Sequence, residues 1–308
     1  MGLATGPRDK PEGDGLRGSM SAAPITLIAG PTASGKSRLA LEMAARTGAA
    51  IVNADSQQLY GDLRVLSARP SPEEEAQAPH HLYGTVDAAE AGSVGRWTRA
   101  VLPLLDQFRA ESRPVLIVGG TGLYFNALTR GLADIPDVPP AGREAAMALY
   151  DTGGEADFRL RLISVDPTAE AGIEAGDRQR LTRAYAVARA TGRSLSDWRA
   201  STRPLLEPGS YERLVIEPER ATLYAACDAR VLRMLDDGAL DEVRALTARG
   251  LDPALPAMKA VGVRELSAHL AGRMTLAEST SAMQQATRNY AKRQLTWFRN
   301  QCGDWGRA

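Results

Sequence analysis

The run Gly30-Pro31-Thr32-Ala33-Ser34-Gly35-Lys36-Ser37 fits G-x-x-x-x-G-K-[ST]. In that spacing the glycines let the backbone curl until successive N–H groups point inward at phosphate oxygens. A helix opening at the last residues adds its positive end. Lys36 supplies a mobile cation for an outer phosphate, and the Ser37 hydroxyl is a ligand for Mg²⁺. The loop specifies a di- or triphosphate. It does not specify ATP, and hydrolysis needs further parts. A second run, Asn53-Ala54-Asp55-Ser56-Gln57-Gln58-Leu59-Tyr60, carries one carboxylate. Asp55 fits three roles: a magnesium ligand, a general base or a helix N-cap. The polar cluster Ser56, Gln57 and Gln58 adds weight to a functional role, because glutamine side chains read base edges or position ligands. A third run, Gly119-Gly120-Thr121-Gly122, pairs two glycines that bring backbone close to a ligand with a hydroxyl that can bond a phosphate oxygen.

These groups must be held by regular elements. Residues 25–29 (ITLIA), 49–54 (AAIVNA) and 115–118 (VLIV) are short apolar runs that predict buried strands. Each ends at one of the three polar clusters. The stretch following the phosphate loop, with Leu39, Leu41, Met43 and Ala44, predicts a helix, as do residues 94–109, interrupted at Pro103. Continuous apolar strands alternating with helices indicate a parallel sheet covered on both faces. Ligands of such sheets sit beyond the carboxyl ends of the strands, so Asp55 is expected to face the phosphate loop. The three prolines in 135–140 mark a boundary, and residues 141–200 read as helices broken at Gly153-Gly154 and Asp166-Pro167. Residues 214–216 predict a return strand, followed by helices over 220–249, 259–272 and 275–300. The fold class is α/β: a P-loop NTPase-like parallel sheet core, residues 24–139 and 207–308, with a helical insertion at 140–206. Residues 1–23, rich in Gly, Pro and charge, predict a disordered tail with no secretory signal, and Met20 is a candidate start.

Composition narrows the function. With 44% hydrophobic and 24% charged residues in 308, the chain can bury a core, which excludes wholesale disorder. No stretch approaches the roughly 18 consecutive apolar residues of a spanning helix, so no membrane role is expected. Two distant cysteines, Cys227 and Cys302, argue against a disulfide or zinc scaffold and fit a reducing cytoplasm. His80, His81 and His269 lack metal-ligand spacing, and the four tryptophans are too scattered for a stacking platform. Lys and Arg number 37, as do Asp and Glu, so the protein does not simply coat nucleic acid. Locally the balance differs. Residues 178–203 hold seven arginines against Asp197 alone, and 283–301 hold Arg288, Lys292, Arg293 and Arg299 with no acid. Two basic patches on a neutral protein suggest an anionic partner bound at one place, or two solvated helix faces.

Six pieces, in order, resemble the tRNA dimethylallyltransferases (tRNA isopentenyltransferases). They are the phosphate loop, Ala54-Asp55-Ser56-Gln57-Gln58-Leu59-Tyr60, Pro79-His80-His81-Leu82, Gly119-Gly120-Thr121-Gly122-Leu123-Tyr124, the DRQRLTRA stretch from Asp177, and the AKRQLTW stretch from Ala291. The resemblance covers residues 25–300. It implies transfer of a dimethylallyl group from its diphosphate to N6 of the adenine on the 3′ side of the tRNA anticodon. The phosphate loop, Gly30 through Ser37, then holds the diphosphate of the prenyl donor, with Mg²⁺ on Ser37. It further implies that Asp55 is the general base, that Thr121 lies near the bridging oxygen and the adenine, and that Arg230 binds the diphosphate, in a helix that holds a second arginine, Arg233. The resemblance places tRNA contacts at Asp55, Ser56, Gln57, Gln58, Thr121, Arg143, Gln179, Arg180, Leu181, Thr182 and Arg183. One chain suffices to clamp an anticodon stem-loop, so a monomer is expected.

Three stretches depart from the family pattern. I-G-T-A-K-P reads Val65-Leu66-Ser67-Ala68-Arg69-Pro70, in which only Leu for Gly changes chemical type. I-x-P-N-D reads Ile173-Glu174-Ala175-Gly176-Asp177. G-Y-[KR]-E reads Gly262-Val263-Arg264-Glu265 and loses the ring. Rival readings are a small-molecule kinase using ATP, a prenyltransferase of free adenine nucleotides, and a non-catalytic RNA-binding module. The basic insertion argues against the first two, and an intact phosphate loop against the third.

Overall fold

The computed structural model describes residues 24–308; the expectations for the tail and for Met20 lie outside them. Six parallel strands form one sheet in the order β3-β2-β4-β1-β5-β6. They are β1 (Ile25–Ala29), β2 (Ala50–Asn53), β3 (His80–His81), β4 (Val115–Gly119), β5 (Tyr211–Val215) and β6 (Gly306–Arg307). The central three, β1, β2 and β4, are buried along their whole length, which is why they read as unbroken apolar runs rather than alternating ones. The edge strand β3 is made of the two histidines; His80 Nδ1 meets the Ala78 carbonyl oxygen at 2.8 Å, and neither ring joins a metal cluster among the described residues.

One apolar core lies on the face covered by α3 (Val94–Ala110), α4 (Gly122–Arg130), α10 (Ala239–Ala248), α11 (Val263–Leu270) and α12 (Leu276–Gln301). The other face is closed by α1 (Lys36–Thr47). A short α2 (Pro72–Glu75) starts at a Ser71 capping box. The helix α9 (Arg220–Asp236) packs with α12 against the phosphate loop through Leu223, Cys227, Ala291 and Leu295.

Helices α5 (Pro140–Ile163), α6 (Pro167–Gly172), α7 (Arg178–Thr191) and α8 (Leu195–Ala200) gather around a core of their own that includes Phe158, Leu162, Leu181 and Val187. Gly154, at φ 72° and ψ 175°, kinks α5 where Gly153-Gly154 predicted a break. Asp166, 1% exposed, ties two of these helices together: Oδ1 accepts from Ala169 N of α6 and Oδ2 from Ser196 N of α8.

Three expectations need correction. Pro103 does not interrupt α3. It sits on the exposed side, so the carbonyl it leaves unpaired meets water and the helix runs through. The stretch 220–249 is two helices, not one, because Asp237 and Gly238 turn the chain between α9 and α10. The helix expected from 259 begins at Val263, after a 3-10 turn at Ala257–Lys259.

Candidate active site

The phosphate loop, Asp55 and Gly119-Gly120 follow β1, β2 and β4, which are neighbours in the sheet, so their polar groups converge at one carboxyl edge. Close approach there depends on Gly119: a Cβ at this position would stand 2.1 Å from the Ala54 carbonyl. The bare backbone lets Thr121 N donate to Ala54 O at 3.2 Å and holds the two loops together.

The phosphate loop is pre-shaped. Gly35, at φ 89°, opens α1, and Ser34 N closes a turn on Pro31 O. Lys36 is buried and donates from Nζ to Pro31 O at 3.2 Å. Ser34 Oγ is buried without a hydrogen-bond partner in the protein, a state that an incoming phosphate oxygen would relieve. Burial lowers the Lys36 ammonium from its ordinary value to about 8; Asp55 pulls it back up and Arg230 pushes it down. The ammonium therefore costs the folded protein stability below about pH 8, and that cost disappears as the pH rises and the proton leaves. An anion on the loop favours the charged form. Binding of inorganic diphosphate is thus expected to weaken as pH rises through about 8 and to take up protons on that limb. Calorimetry in buffers of different ionisation heat would read both, and pH-independent affinity would exclude Lys36 as the cation that meets the anion.

Asp55 is 6% exposed. Asn53 holds its backbone, with Asp55 N donating to Asn53 Oδ1 at 2.7 Å and Asn53 Nδ2 to Asp55 O at 2.9 Å. Asp55 Oδ1 accepts from Gln57 N at 3.0 Å in a local turn, so the N-cap and functional readings are not exclusive: one oxygen turns the chain. The other, Oδ2, lies beside Gly120, where a Cβ would stand 3.1 Å from it. Together with Gln57, Thr32 and Arg230, Asp55 lines an inner cleft whose remaining wall includes Leu66 and Tyr290. Arg230 NH1 donates to Thr32 Oγ1 at 3.1 Å, 198 residues away in sequence. Burial lowers the Arg230 guanidinium, and repulsion from Arg233 adds to this. Arg233 itself is exposed and lines a larger outer cleft of about 540 Å³ with Ser37, Arg64 and Arg69; Arg230 borders both clefts.

The other expected residues divide. Thr121 Oγ1 accepts from Ser56 N at 2.9 Å and bonds Ser56 Oγ at 3.2 Å, so it ties the 56 and 121 loops and does not line the inner cleft. Gln58 is not presented for base reading: its Nε2 donates to Ser67 O and Ala68 O, because the loop after it needs those carbonyls satisfied. On α7, Gln179, Arg180 and Arg183 are exposed, but Leu181 and Thr182 are buried. Helical periodicity puts Leu181 in the insertion's own core, and Thr182 Oγ1 bonds back to Arg178 O. Arg143 is exposed at the start of α5 and donates to Val138 O.

Two positioning residues receive no role from the sequence, although one, Gln294, lies in the AKRQLTW stretch. Gln294 of α12 accepts from Thr32 N at 2.8 Å and donates to Gly120 O at 2.9 Å, bridging two loops of the site. A glutamine within the apolar stripe Ala291, Gln294, Leu295, Phe298 is the signal that marks it. Glu242 of α10 accepts from Arg64 N, Val65 N and Leu66 N at 2.7, 2.8 and 2.9 Å. Nothing near it in sequence points there.

With this geometry, the comparisons with known proteins are consistent. The IPP transferase family profile matches residues 58–301, and an Isopentenyl transferase profile matches residues 23–92. The chain is 61% identical to a tRNA dimethylallyltransferase of Caulobacter sp. (strain K31) over 92% of each chain. It is 58% identical to one of Phenylobacterium zucineum (strain HLK1), again over 92% of each. Among solved structures it resembles the full-length tRNA isopentenylpyrophosphate transferase of Bacillus halodurans, at 30% identity and a TM-score of 0.65, covering 93% of this chain and 89% of that one.

Proposed function

This chain belongs to the IPP transferase family, and we propose that it transfers a dimethylallyl group from dimethylallyl diphosphate to N6 of the adenine 3′-adjacent to the tRNA anticodon. The observation that carries the reading is the inner cleft in which Asp55, Thr32 and Arg230 meet beside an apolar wall. That wall suits a hydrocarbon tail, the loop that contributes Thr32 to the same cleft suits a diphosphate, and Asp55 Oδ2 lies beside Gly120.

In the reaction the donor C–O bond to the diphosphate breaks and a C–N6 bond forms. The proton of N6 passes to the free Oδ2 of Asp55, and the electron pair of the broken bond leaves on the diphosphate. Lys36, Arg230 and the loop N–H groups neutralise that leaving charge as it develops, which lowers the barrier directly. Ser37 is exposed at the mouth of the loop and offers a hard oxygen ligand. No cluster of carboxylates competes for a metal among the described residues. This fits Mg²⁺, which is commonly held by one or two protein oxygens and completed by phosphates and water. When bound by Ser37 it would supply further charge neutralisation of the diphosphate.

The acceptor adenine is stacked in the anticodon loop and has to be flipped out to reach Asp55. The exposed Gln179, Arg180 and Arg183 of α7, with Arg143, form a surface suited to the phosphates of the stem. In its ion pair with Asp177 the Arg180 side chain is 70% exposed, so it can exchange partners at little cost. Residues 140–206 are read as the tRNA-binding insertion on a core of 24–139 and 207–308, acting as a monomer. No helix of the described residues is long and apolar enough to cross a membrane.

The test is a transfer assay with Mg²⁺, labelled dimethylallyl diphosphate and unmodified tRNA bearing adenine beside the anticodon, ATP being absent. Label is expected in that tRNA and not in a variant carrying guanine there. ATP-dependent phosphorylation of a small acceptor, with no label in tRNA, would establish the kinase reading instead.

A further inference from the structure

The helix that carries the exposed Gln179, Arg180 and Arg183 is entered through a loop with little stiffness of its own. Where the family pattern has I-x-P-N-D, this chain has Ile173-Glu174-Ala175-Gly176-Asp177. Alanine lacks the fixed φ of proline, and glycine, here at φ 83°, gives up more backbone freedom on ordering than any other residue. The order is supplied by α5. Arg159 Nη2 donates to Ile173 O and Glu174 O, both at 2.9 Å, and Nη1 donates to Glu170 O at 3.2 Å and Glu170 Oε1 at 2.8 Å. Arg159 Nε donates to Glu155 Oε1 at 2.9 Å, and the two oxygens of Glu155 accept from Gly176 N at 3.1 and 2.9 Å. One turn earlier, Asp151 takes the guanidinium of Arg178 at 3.0 and 2.6 Å. The start of α7 is therefore fixed from α5 twice: the loop before it by Glu155 and Arg159, and its first residue by Asp151. All five N–H donors of Arg159 are used within the protein, so none is left for a phosphate.

We propose that Glu155 and Arg159 are positioning residues for tRNA binding: from α5 they hold the loop before α7, and with it the exposed face of α7, in the binding arrangement, in place of the proline and asparagine absent from the loop. The inference rests on the function proposed above, in which that face meets the phosphates of the anticodon stem. A loop ordered beforehand spares the complex the conformational entropy of ordering it on binding. The chemistry at Asp55 is untouched.

The KM for unmodified tRNA is to be measured for the wild type, Arg159→Lys and Glu155→Gln, with kcat at saturating tRNA and the KM for dimethylallyl diphosphate alongside. Lysine keeps the charge of Arg159 but not its planar fork of donors. The KM for tRNA is expected to rise about 10-fold in both variants, the effect of ordering roughly one residue afresh on binding, while the other two constants stay put. Glu155→Gln removes a negative charge, so a purely electrostatic role would tighten tRNA binding, the opposite sign. The slope of log KM against log salt should keep its wild-type value, since no phosphate contact is lost, whereas Arg180→Ala should reduce it by about one. Adding Ala175→Pro and Gly176→Asn to Arg159→Lys should recover most of the lost affinity. Asparagine tolerates a positive φ, and a Cβ at 176 meets nothing within 4 Å. If Arg159→Lys fails to fold, Glu155→Gln decides the outcome. An unchanged KM for tRNA in folded variants, or an equal rise in the KM for dimethylallyl diphosphate, overturns the positioning role. A raised KM that the restored loop leaves in place does so too. A wild type that transfers no dimethylallyl group to tRNA overturns the proposed function and this inference with it.

Discussion

Replacing Asp55 by Asn is expected to lower the rate of prenyl transfer about 10²- to 10⁴-fold, the range a positioned general base contributes. The substitution is close in shape. The amide oxygen of the new side chain can still accept from Gln57 N, as Asp55 Oδ1 does, so the turn after β2 survives. What disappears is the second carboxylate oxygen, beside Gly120, as a proton acceptor. Affinity for tRNA should change little, because one buried carboxylate contributes little to a binding energy dominated by phosphate contacts. Asp55→Ala is expected to lose transfer likewise, with an added cost to the local turn. Single-turnover rates and equilibrium binding of unmodified tRNA separate the two effects. Equal losses in binding and in turnover would argue against a base and in favour of a contact that merely holds the acceptor.

Replacing Arg230 by Ala is expected to lower transfer about 10²- to 10³-fold, on the scale of a single preorganised group that meets developing charge. Arg233→Ala should have a far smaller effect. The two lie one helical turn apart on α9, yet Arg230 points inward to donate to Thr32 Oγ1 while Arg233 is exposed. A cation in a water-poor cleft acts at low effective dielectric, and an exposed one is screened. Burial already depresses the Arg230 guanidinium, so the free protein bears a cost that an arriving diphosphate would offset. Loss of activity in Arg230→Ala should therefore come with weaker binding of inorganic diphosphate. Comparable defects in both variants would place the leaving group in the outer cleft, which Arg230 and Arg233 both line, instead of in the inner one.

Much of the site is legible along the chain because it is local. A phosphate loop is eight consecutive residues whose spacing is its mechanism, and it lies where a buried strand gives way to a helix. The runs 25–29, 49–54 and 115–118 reveal strands because a parallel sheet covered on both faces has no polar side to interrupt them. From strand ends alone, Asp55 and Gly119-Gly120 are expected at the same edge as the loop, and parallel pairing of β1 and β2 with β4 puts them there.

Other parts are decided by helix phase and crossing, which a run of residue types does not encode. In the 179–183 stretch, successive residues step about 100° around the helix, so Gln179, Arg180 and Arg183 face solvent while Leu181 and Thr182 are buried. Resemblance carries a stretch across whole; packing splits it. The choice between Arg230 and Arg233 is likewise a rotation about the α9 axis, fixed by Cys227, Val231 and Met234 facing inward. Gln294 reaches Thr32 across 262 residues, and Glu242 reaches Leu66 across 176. Those contacts exist only once α10 and α12 have docked on the sheet. The chemistry of this protein is therefore written in short contiguous runs that fix their own backbone shape. The alignment of that chemistry comes from distant helices, whose angles are set by the burial of apolar surface and by the satisfaction of backbone N–H and C=O groups that no single segment can supply.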